Sequence, residues 1–180
     1  MSMTATRWSH ATSLPQTAAT VVEGLYRAHG LGLVRFALLL TGDQATAEDS
    51  VQEALLGLYL GLQGGRRPDD VLAYLRTAVL NAARTALRRR ARQQALARAA
   101  QPDLPVWSAE AAVLADEDGR AVLAAVALLP QRQREVLALR YFLELSEKEI
   151  AAMLGVTRGT VASTTARGLA SLARMLKEER

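Results

Sequence analysis

The stretch that most constrains the fold of this chain lies at residues 146–172, near its carboxyl end. Ser146 followed by Glu149 forms a capping-box pattern, in which each side chain can bond to a free amide of the first helical turn. Gly155 suits the left-handed residue that ends a helix, and Thr157 suits the start of another. Because so short a connection keeps the two helices from lying antiparallel, the pattern predicts a helix-turn-helix.

The second helix of this pair is predicted to bury one side and expose the other. Apolar and small residues at helical spacing define the buried stripe, and these are Val161, Ala162, Thr165, Leu169 and Leu172. Cationic and hydroxyl side chains on the exposed side are of the kind that contacts phosphates and base edges in a DNA major groove. They are Arg158, Thr160, Ser163, Thr164 and Arg167. An ordinary helical hairpin with a solvated face is the alternative that this pattern leaves open.

Composition limits the chemistry open to the chain. Half of its 180 residues are hydrophobic, which suits one domain or two small ones. It has no cysteine, and its two histidines, His10 and His29, lie in unrelated contexts, so we expect no metal site and no cofactor. No segment has the roughly 18 consecutive apolar residues that cross a bilayer, and residues 1–20 lack a signal-peptide core. We therefore expect a cytoplasmic chain that is not membrane-embedded and begins with a disordered tail.

Two helices are predicted before the loop at residues 63–68. The first is expected to be bent or split, because Gly30 and Gly32 interrupt its apolar stripe and each glycine costs about 1 kcal/mol relative to alanine. The second has an apolar face and, opposite to it, a surface that mixes acids with leucines. The residues of this mixed surface are Asp49, Gln52, Glu53, Leu56 and Leu60. Burial between neighbouring helices and contact with a partner protein both explain it.

A third helix is predicted after Pro68, and it carries a concentration of positive charge. Residues 76–98 contain seven arginines and no acid. Such a run along one helix is typical of an electrostatic footprint for nucleic acid, although a solvated face is the alternative. Asn81, Arg84 and Arg88 lie one turn apart on its polar side.

The remaining segments complete an all-α prediction. Residues 98–119 combine prolines with an acidic run and are predicted to be a linker. Beyond them, Pro130 separates two further helices that precede the helix-turn-helix. Strand-type alternation is absent from the sequence, so we expect two small helical domains joined by the linker. These are residues 21–97 and a helix-turn-helix domain at residues 120–177.

Taken together, these segments resemble the extracytoplasmic-function sigma factors, bacterial RNA polymerase initiation factors of the sigma-70 family that retain two promoter-binding domains. The pattern of the first domain is seen in LYRAHGLGLVRFALLLTGD, AEDSVQEALLGLY and AYLRTAVLNAARTALRRRARQ. The pattern of the second is seen in LLPQRQREVLALRYFLELSEKEIAAMLGVTRGTVASTTARGLASL. The resemblance covers most of the chain outside the tail and the linker.

The resemblance implies an initiation subunit with no enzymatic activity and no small-molecule substrate, whose partners are core RNA polymerase, promoter DNA and an anti-sigma factor. Core polymerase would bind Asp49, Gln52, Glu53 and Leu56. The −10 element would meet Asn81, Arg84 and Arg88, with the loop at residues 63–68 placed where a flipped base is held. The −35 element would meet the recognition helix, through Arg158, Thr160, Ser163, Thr164 and Arg167.

The sequence departs from the family pattern at three positions. Many relatives have an aspartate where this chain has Thr85, and a lysine and an arginine where it has Ala162 and Thr164. The loss of two cations should weaken phosphate anchoring. The residues expected to take over are Arg158, Arg167 and Arg174.

Two other classes of function compete with this interpretation. A stand-alone helix-turn-helix regulator would bind an operator, as a dimer with regularly spaced half-sites. A helical hydrolase would need catalytic carboxylates such as Glu48, Asp49 and Glu53, but the sequence suggests no basic or histidine partner beside them. The mixed acidic and apolar surface separates the first two classes, because a simple repressor has no use for it.

Overall fold

The computed structural model of the protein describes residues 17–96 and 117–178, which form α-helices without any strand in these two ranges. The predicted all-α class is therefore confirmed. Residues 1–16 of the predicted tail and 98–116 of the predicted linker lie outside the described residues. The last three residues of each prediction, 18–20 and 117–119, are helical, so the tail and the linker both end earlier than predicted. The helices are α1 (Ala18–Thr41), α2 (Gln44–Gln63), α3 (Val71–Leu96), α4 (Glu117–Leu128), α5 (Gln131–Leu137), α6 (Glu147–Leu154) and α7 (Arg158–Glu178).

Helix α1 is continuous, so of the predicted bent or split helix the split is wrong. Thr17 caps its start by accepting a bond from the amide of Thr20, and Gly42 ends it with φ of 71°. The ring of Tyr26 lies over Gly30, where an added Cβ would stand only 2.8 Å from Tyr26 Cδ2. The cost of glycine in a helix is small beside the burial of the next two turns, which pack into the core.

Helices α1, α2 and α3 pack together as the first unit. Asp43 caps α2 and Asp70 caps α3, each by accepting a bond from an amide three residues later. The hydroxyl of Thr46 also donates to Asp43, and this bond, followed by the amide bond, holds the pKa of that carboxyl below its usual value. The apolar face predicted for α2 points inward, as expected. The centre of the unit is filled by Phe36, Leu58, Leu75, Val79 and Leu80.

Helices α6 and α7 form the helix-turn-helix of the second unit, as predicted, and α5 precedes them. The capping box is present, because Ser146 N donates to Glu149 Oε2 at 2.8 Å and Ser146 Oγ accepts from Glu149 N at 3.3 Å. Gly155 ends α6 with φ of 64°. The single helix expected at residues 131–142 is different in one respect, because it becomes a π-helical turn (Ala138–Phe142) after α5. Its signature is the bond from Leu143 N to Ala138 O, at 3.1 Å.

The two units touch each other in this structure. The last turns of α1 are leucine-rich and buried on more than one side, because α4, α5 and the π-helical turn pack against them. Leu39, for example, shares an apolar groove with Leu123 and Leu137 of the second unit. Buried side chains of both units therefore join in one hydrophobic cluster.

Removing the cap of α6 should lower the stability of the second unit. We expect Ser146→Ala to cost about 1 kcal/mol, because the amide of Glu149 then loses its side-chain acceptor. Urea unfolding followed by circular dichroism measures this. The control is Ser163→Ala, whose exposed hydroxyl donates only to Thr160 O and should change the free energy of unfolding by about 0.5 kcal/mol at most. Equal effects of the two substitutions would show that the capping box contributes nothing.

Candidate protein and nucleic-acid interfaces

The mixed surface predicted on α2 is exposed to solvent. Asp49, Gln52 and Glu53 are all exposed, and Leu56 is 58% exposed. Burial between neighbouring helices is thereby excluded as the explanation for this surface. Leu60 is 56% exposed one turn after Leu56 and extends the apolar part of the surface. The sequence placed Leu60 on this face, but its role there was not predicted.

The acids of α2 face the arginines of α3 across a cleft. The cleft has a volume of about 560 Å³, and its walls include Asp49, Glu53, Arg89 and Arg90. The opposite charges on the two walls attract each other, which favours the packing of α2 beside α3. The acids nevertheless remain exposed, so they are available to a partner protein.

The polar side of α3 does not present its three predicted DNA contacts equally. Asn81 and Arg88 are exposed. Thr85 Oγ1 donates to Asn81 O at 2.9 Å and accepts from Arg88 Nη2 at 3.1 Å, so Thr85 orients the Arg88 guanidinium. Arg84 is different: its side chain is only 21% exposed, because it contacts the second unit.

The loop at residues 63–68 is held against α3. Arg66 Nη1 donates to the hydroxyl of Tyr74 at 2.8 Å, and its guanidinium lies 5.8 Å from the centre of the Tyr74 ring. Arg67 Nη1 donates to Leu62 O at 2.8 Å. Gly65 has φ of 87°, a conformation that glycine adopts without strain. The two arginines therefore fix the loop at the start of the basic helix.

The recognition helix α7 exposes four of the five predicted side chains. Thr157 begins the helix by accepting a bond from the amide of Thr160 at 3.1 Å. Arg167 Nε donates to Ser163 O at 3.2 Å, which orders the guanidinium along the helix. The exposed residues are Arg158, Thr160, Ser163 and Arg167.

The prediction for Thr164 was wrong, because this side chain is 5% exposed and faces the protein interior. The buried stripe of α7 is Val161, Thr164 and Gly168, whereas Ala162 is exposed and Leu169 is 42% exposed. A close approach of α5 to α7 sets this rotation: a Cβ at position 168 would stand 3.0 Å from a methyl carbon of a leucine in α5. Two of the three residues in this stripe, Thr164 and Gly168, are not apolar, so the spacing of apolar residues did not reveal it.

Each of the two units matches a known protein family. The sigma-70 region 2 family matches residues 25–93, and the sigma-70 region 4 family matches residues 119–172. The matches therefore cover both described units and leave the segment between them unmatched.

Individual proteins show the same similarity. The chain is 34% identical to the ECF RNA polymerase sigma factor SigM of Mycobacterium tuberculosis over 154 residues, which are 86% of this chain and 76% of that protein. It is also 34% identical to the ECF RNA polymerase sigma factor SigL of the same species over 149 residues, 81% of this chain and 82% of that one. Each of these identities extends over both units.

Solved structures with this fold include the sigma factor RpoE of Bartonella quintana in complex with the anti-sigma factor NepR, with a TM-score of 0.69 at 23% identity over 88% of this chain and 99% of that one. CnrH in complex with the cytosolic domain of CnrY has a TM-score of 0.63 at 24% identity, over 91% of this chain and 96% of that chain. Among the described helices, none has the length and apolar character needed to cross a membrane. From the two matched regions and the relatives that span both, the chain belongs to the extracytoplasmic-function RNA polymerase sigma factors.

Proposed function

We propose that this sigma factor binds core RNA polymerase through α2 and recognises promoter DNA through α3 and α7. The observation that carries the proposal is the exposed acidic and apolar surface of α2 in a chain that also exposes two basic helices. A stand-alone regulator would need the basic helices alone. We assign the chain a cytoplasmic location and no enzymatic activity of its own.

The roles of the two units follow from the residues that they expose. Residues 21–97 would act as region 2, with Asn81 and Arg88 contacting the −10 element, and with Arg84 joining them when it is released from the second unit. Residues 120–177 would act as region 4, whose α7 enters the major groove of the −35 element. Its contacts would come from Arg158, Thr160, Ser163 and Arg167. Side chains of these types pair with phosphates and base edges.

Run-off transcription tests the proposal. Purified core polymerase is mixed with the chain and with a library of genomic fragments from the source bacterium. We expect the chain to direct transcripts from a small subset of fragments that core polymerase alone leaves silent. A stand-alone regulator would bind DNA without core polymerase and would add no transcripts to it. That result would replace the proposal with the alternative.

Loss of Arg88 should weaken promoter opening. We expect Arg88→Ala to reduce permanganate reactivity of the opened −10 region by about tenfold, because it removes an exposed cation from the polar side of α3. The control is Arg27→Ala, which removes an exposed arginine of α1 that pairs with Glu23. Both variants should bind core polymerase like the parent. Full-strength footprints with Arg88→Ala would exclude this residue from the −10 contact.

An antagonist is also proposed. The two solved proteins described above are each held by a second protein, which in RpoE is an anti-sigma factor. A similar partner of this chain would occlude the α2 surface and the polar side of α3, since both are exposed here. It would control access to polymerase and to DNA at once.

A further inference from the structure

Arg84 is held by an ion pair that crosses between the two units. Its Nε and Nη2 donate to the two carboxylate oxygens of Glu135, each at 2.7 Å, which is a bidentate arrangement. The Glu135 side chain is 3% exposed, although it lies on the short helix α5. Arg84, which we assign to the −10 element, is thus bonded to a side chain of the second unit, which we assign to the −35 element.

The surroundings of Glu135 keep it ionised. Burial by itself would raise the pKa of this carboxyl, but the Arg84 guanidinium and two neighbours on α5 hold the pKa below its usual value. The neighbours are Gln131, whose Nε2 donates at 3.0 Å, and Arg132, whose Nη1 donates at 3.2 Å. Glu135 is therefore a buried carboxylate that depends on charged donors, and the bidentate one comes from the other unit.

The preceding residue makes a second contact between the units. Arg134 Nη1 donates to Leu40 O in the last turn of α1, at 2.9 Å. Its Nη2 donates to Ala127 O and Leu129 O at the end of α4, at 2.5 and 3.1 Å. A cation is favoured at a helix carboxyl end, where the carbonyls lack amide partners, and Arg134 serves two such ends. Residues 134 and 135 together tie α5 to α1 and α3.

The ion pair can be exchanged for a contact with DNA. A phosphate offers a guanidinium the same bidentate geometry as a carboxylate, so Arg84 can leave Glu135 for a DNA phosphate with little change in its own hydrogen bonding. Opening the units also hydrates Glu135, which then no longer requires Arg84. Polymerase or DNA can therefore compete with the second unit for the same side chain.

We infer that Arg134 and Glu135 form an intramolecular latch that withholds Arg84 from promoter DNA in the free chain and releases it when the two units separate. The inference rests on the proposed role of Arg84 at the −10 element. A chain with this latch binds DNA weakly by itself, because only the open fraction has the complete contact surface. A partner that binds only the open chain, as we infer for core polymerase, would make the open state the dominant one.

Distance measurement between spin labels tests the latch directly. The chain has no cysteine, so cysteines introduced at the exposed positions Ala28 in α1 and Ala170 in α7 give one label on each unit. In the otherwise unchanged chain we expect one narrow distance distribution. In Glu135→Gln, which keeps the shape but removes the charge, we expect a broader and longer one. Glu23→Gln, which neutralises an exposed acid of α1, is the control and should keep the narrow distribution.

DNA binding by the free chain gives the second readout. If the closed state outweighs the open one by about tenfold, Glu135→Gln should bind a forked promoter fragment about tenfold more tightly. Arg84→Gln should open the units equally but show no gain in affinity, because the DNA contact is lost with the side chain. Unchanged label distances in both variants, with circular dichroism showing intact helices, would overturn the latch.

The two readouts separate the latch from the proposed role of Arg84. Opening in both variants, with an equal gain in DNA affinity, would support the latch and refute the contact between Arg84 and the −10 element. Unchanged distances combined with weaker DNA binding by Arg84→Gln would refute the latch and support that contact.

Discussion

Replacement of Asp49 and Glu53 together by lysine is expected to weaken binding to core RNA polymerase by at least about 100-fold, which corresponds to roughly 3 kcal/mol. Both acids are exposed on α2 beside Leu56, so they are free to meet a partner. The partner surface is expected to carry positive charges opposite these acids, so lysines there would replace attraction by repulsion. Like charges placed opposite each other in an interface cost several kcal/mol. This effect should be the largest of those that polymerase binding can reveal.

Fluorescence anisotropy of labelled sigma factor with core polymerase measures the loss. The matched control is Glu23→Lys with Asp69→Lys, because it makes the same change in charge at exposed positions outside α2. The control should retain parental affinity, and both variants should retain their helical content. Equal weakening by both pairs would mean that overall charge, and not this surface, determines binding.

A neutral substitution separates the apolar part of this surface from its charge. The lysines would also face Arg89 and Arg90 across the cleft, where repulsion can disturb the fold. Leu56→Ala avoids that problem, since a leucine that is 58% exposed contributes little to stability. We expect it to weaken polymerase binding by about tenfold, as for an apolar anchor in a protein interface.

Local signals in the sequence predicted most helix boundaries correctly. The capping box at Ser146, the left-handed Gly155 and the cap at Thr157 depend on residues within three positions of each other, so the sequence contains the whole cause. The two-faced character of α2 was equally visible, because periodicity shows which residues share a side of a helix. Solvent exposure of that second face needed the structure.

Failures occurred where packing between distant helices decided the outcome. The rotation of α7 is set by its close contact with α5 at Gly168, so Thr164 turns inward although its side chain is polar. The glycines of α1 weaken a helix in isolation, but tertiary burial keeps it continuous. Propensity and periodicity describe one helix at a time and do not contain these contacts.

The contact between the units is the clearest example of what sequence could not provide. Arg84 and Glu135 are 51 residues apart, and each lies in a segment with its own local explanation. One sign was present in the sequence, because the leucines at positions 38–40 point in three directions from one helix turn. The structure buries all three, and Leu39 packs beside Leu123 and Leu137 of the second unit.

Alanine at both Arg158 and Arg167 is expected to reduce binding to the −35 element by about 100-fold at physiological salt and to lower the slope of log affinity against log salt by about two. Both arginines are exposed on α7, and each would release about one counterion on meeting a phosphate. Ala162 is exposed too but carries no charge, so little else on this part of α7 can replace them.

Two controls make this last prediction specific to the rotation of α7. Arg27→Ala with Arg35→Ala removes the same amount of charge from exposed positions of α1 and should leave the salt slope for the −35 fragment unchanged. Thr164→Ala should leave the affinity for the −35 fragment unchanged, because the Thr164 side chain lies inside the second unit and reaches no DNA group. Salt titrations of binding to a fragment that contains only the −35 element measure all three variants. A lower affinity for Thr164→Ala, with circular dichroism showing intact helices, would mean that α7 turns this residue outward when it binds DNA. A parental slope for the double arginine variant would remove the two arginines of α7 from the −35 contact.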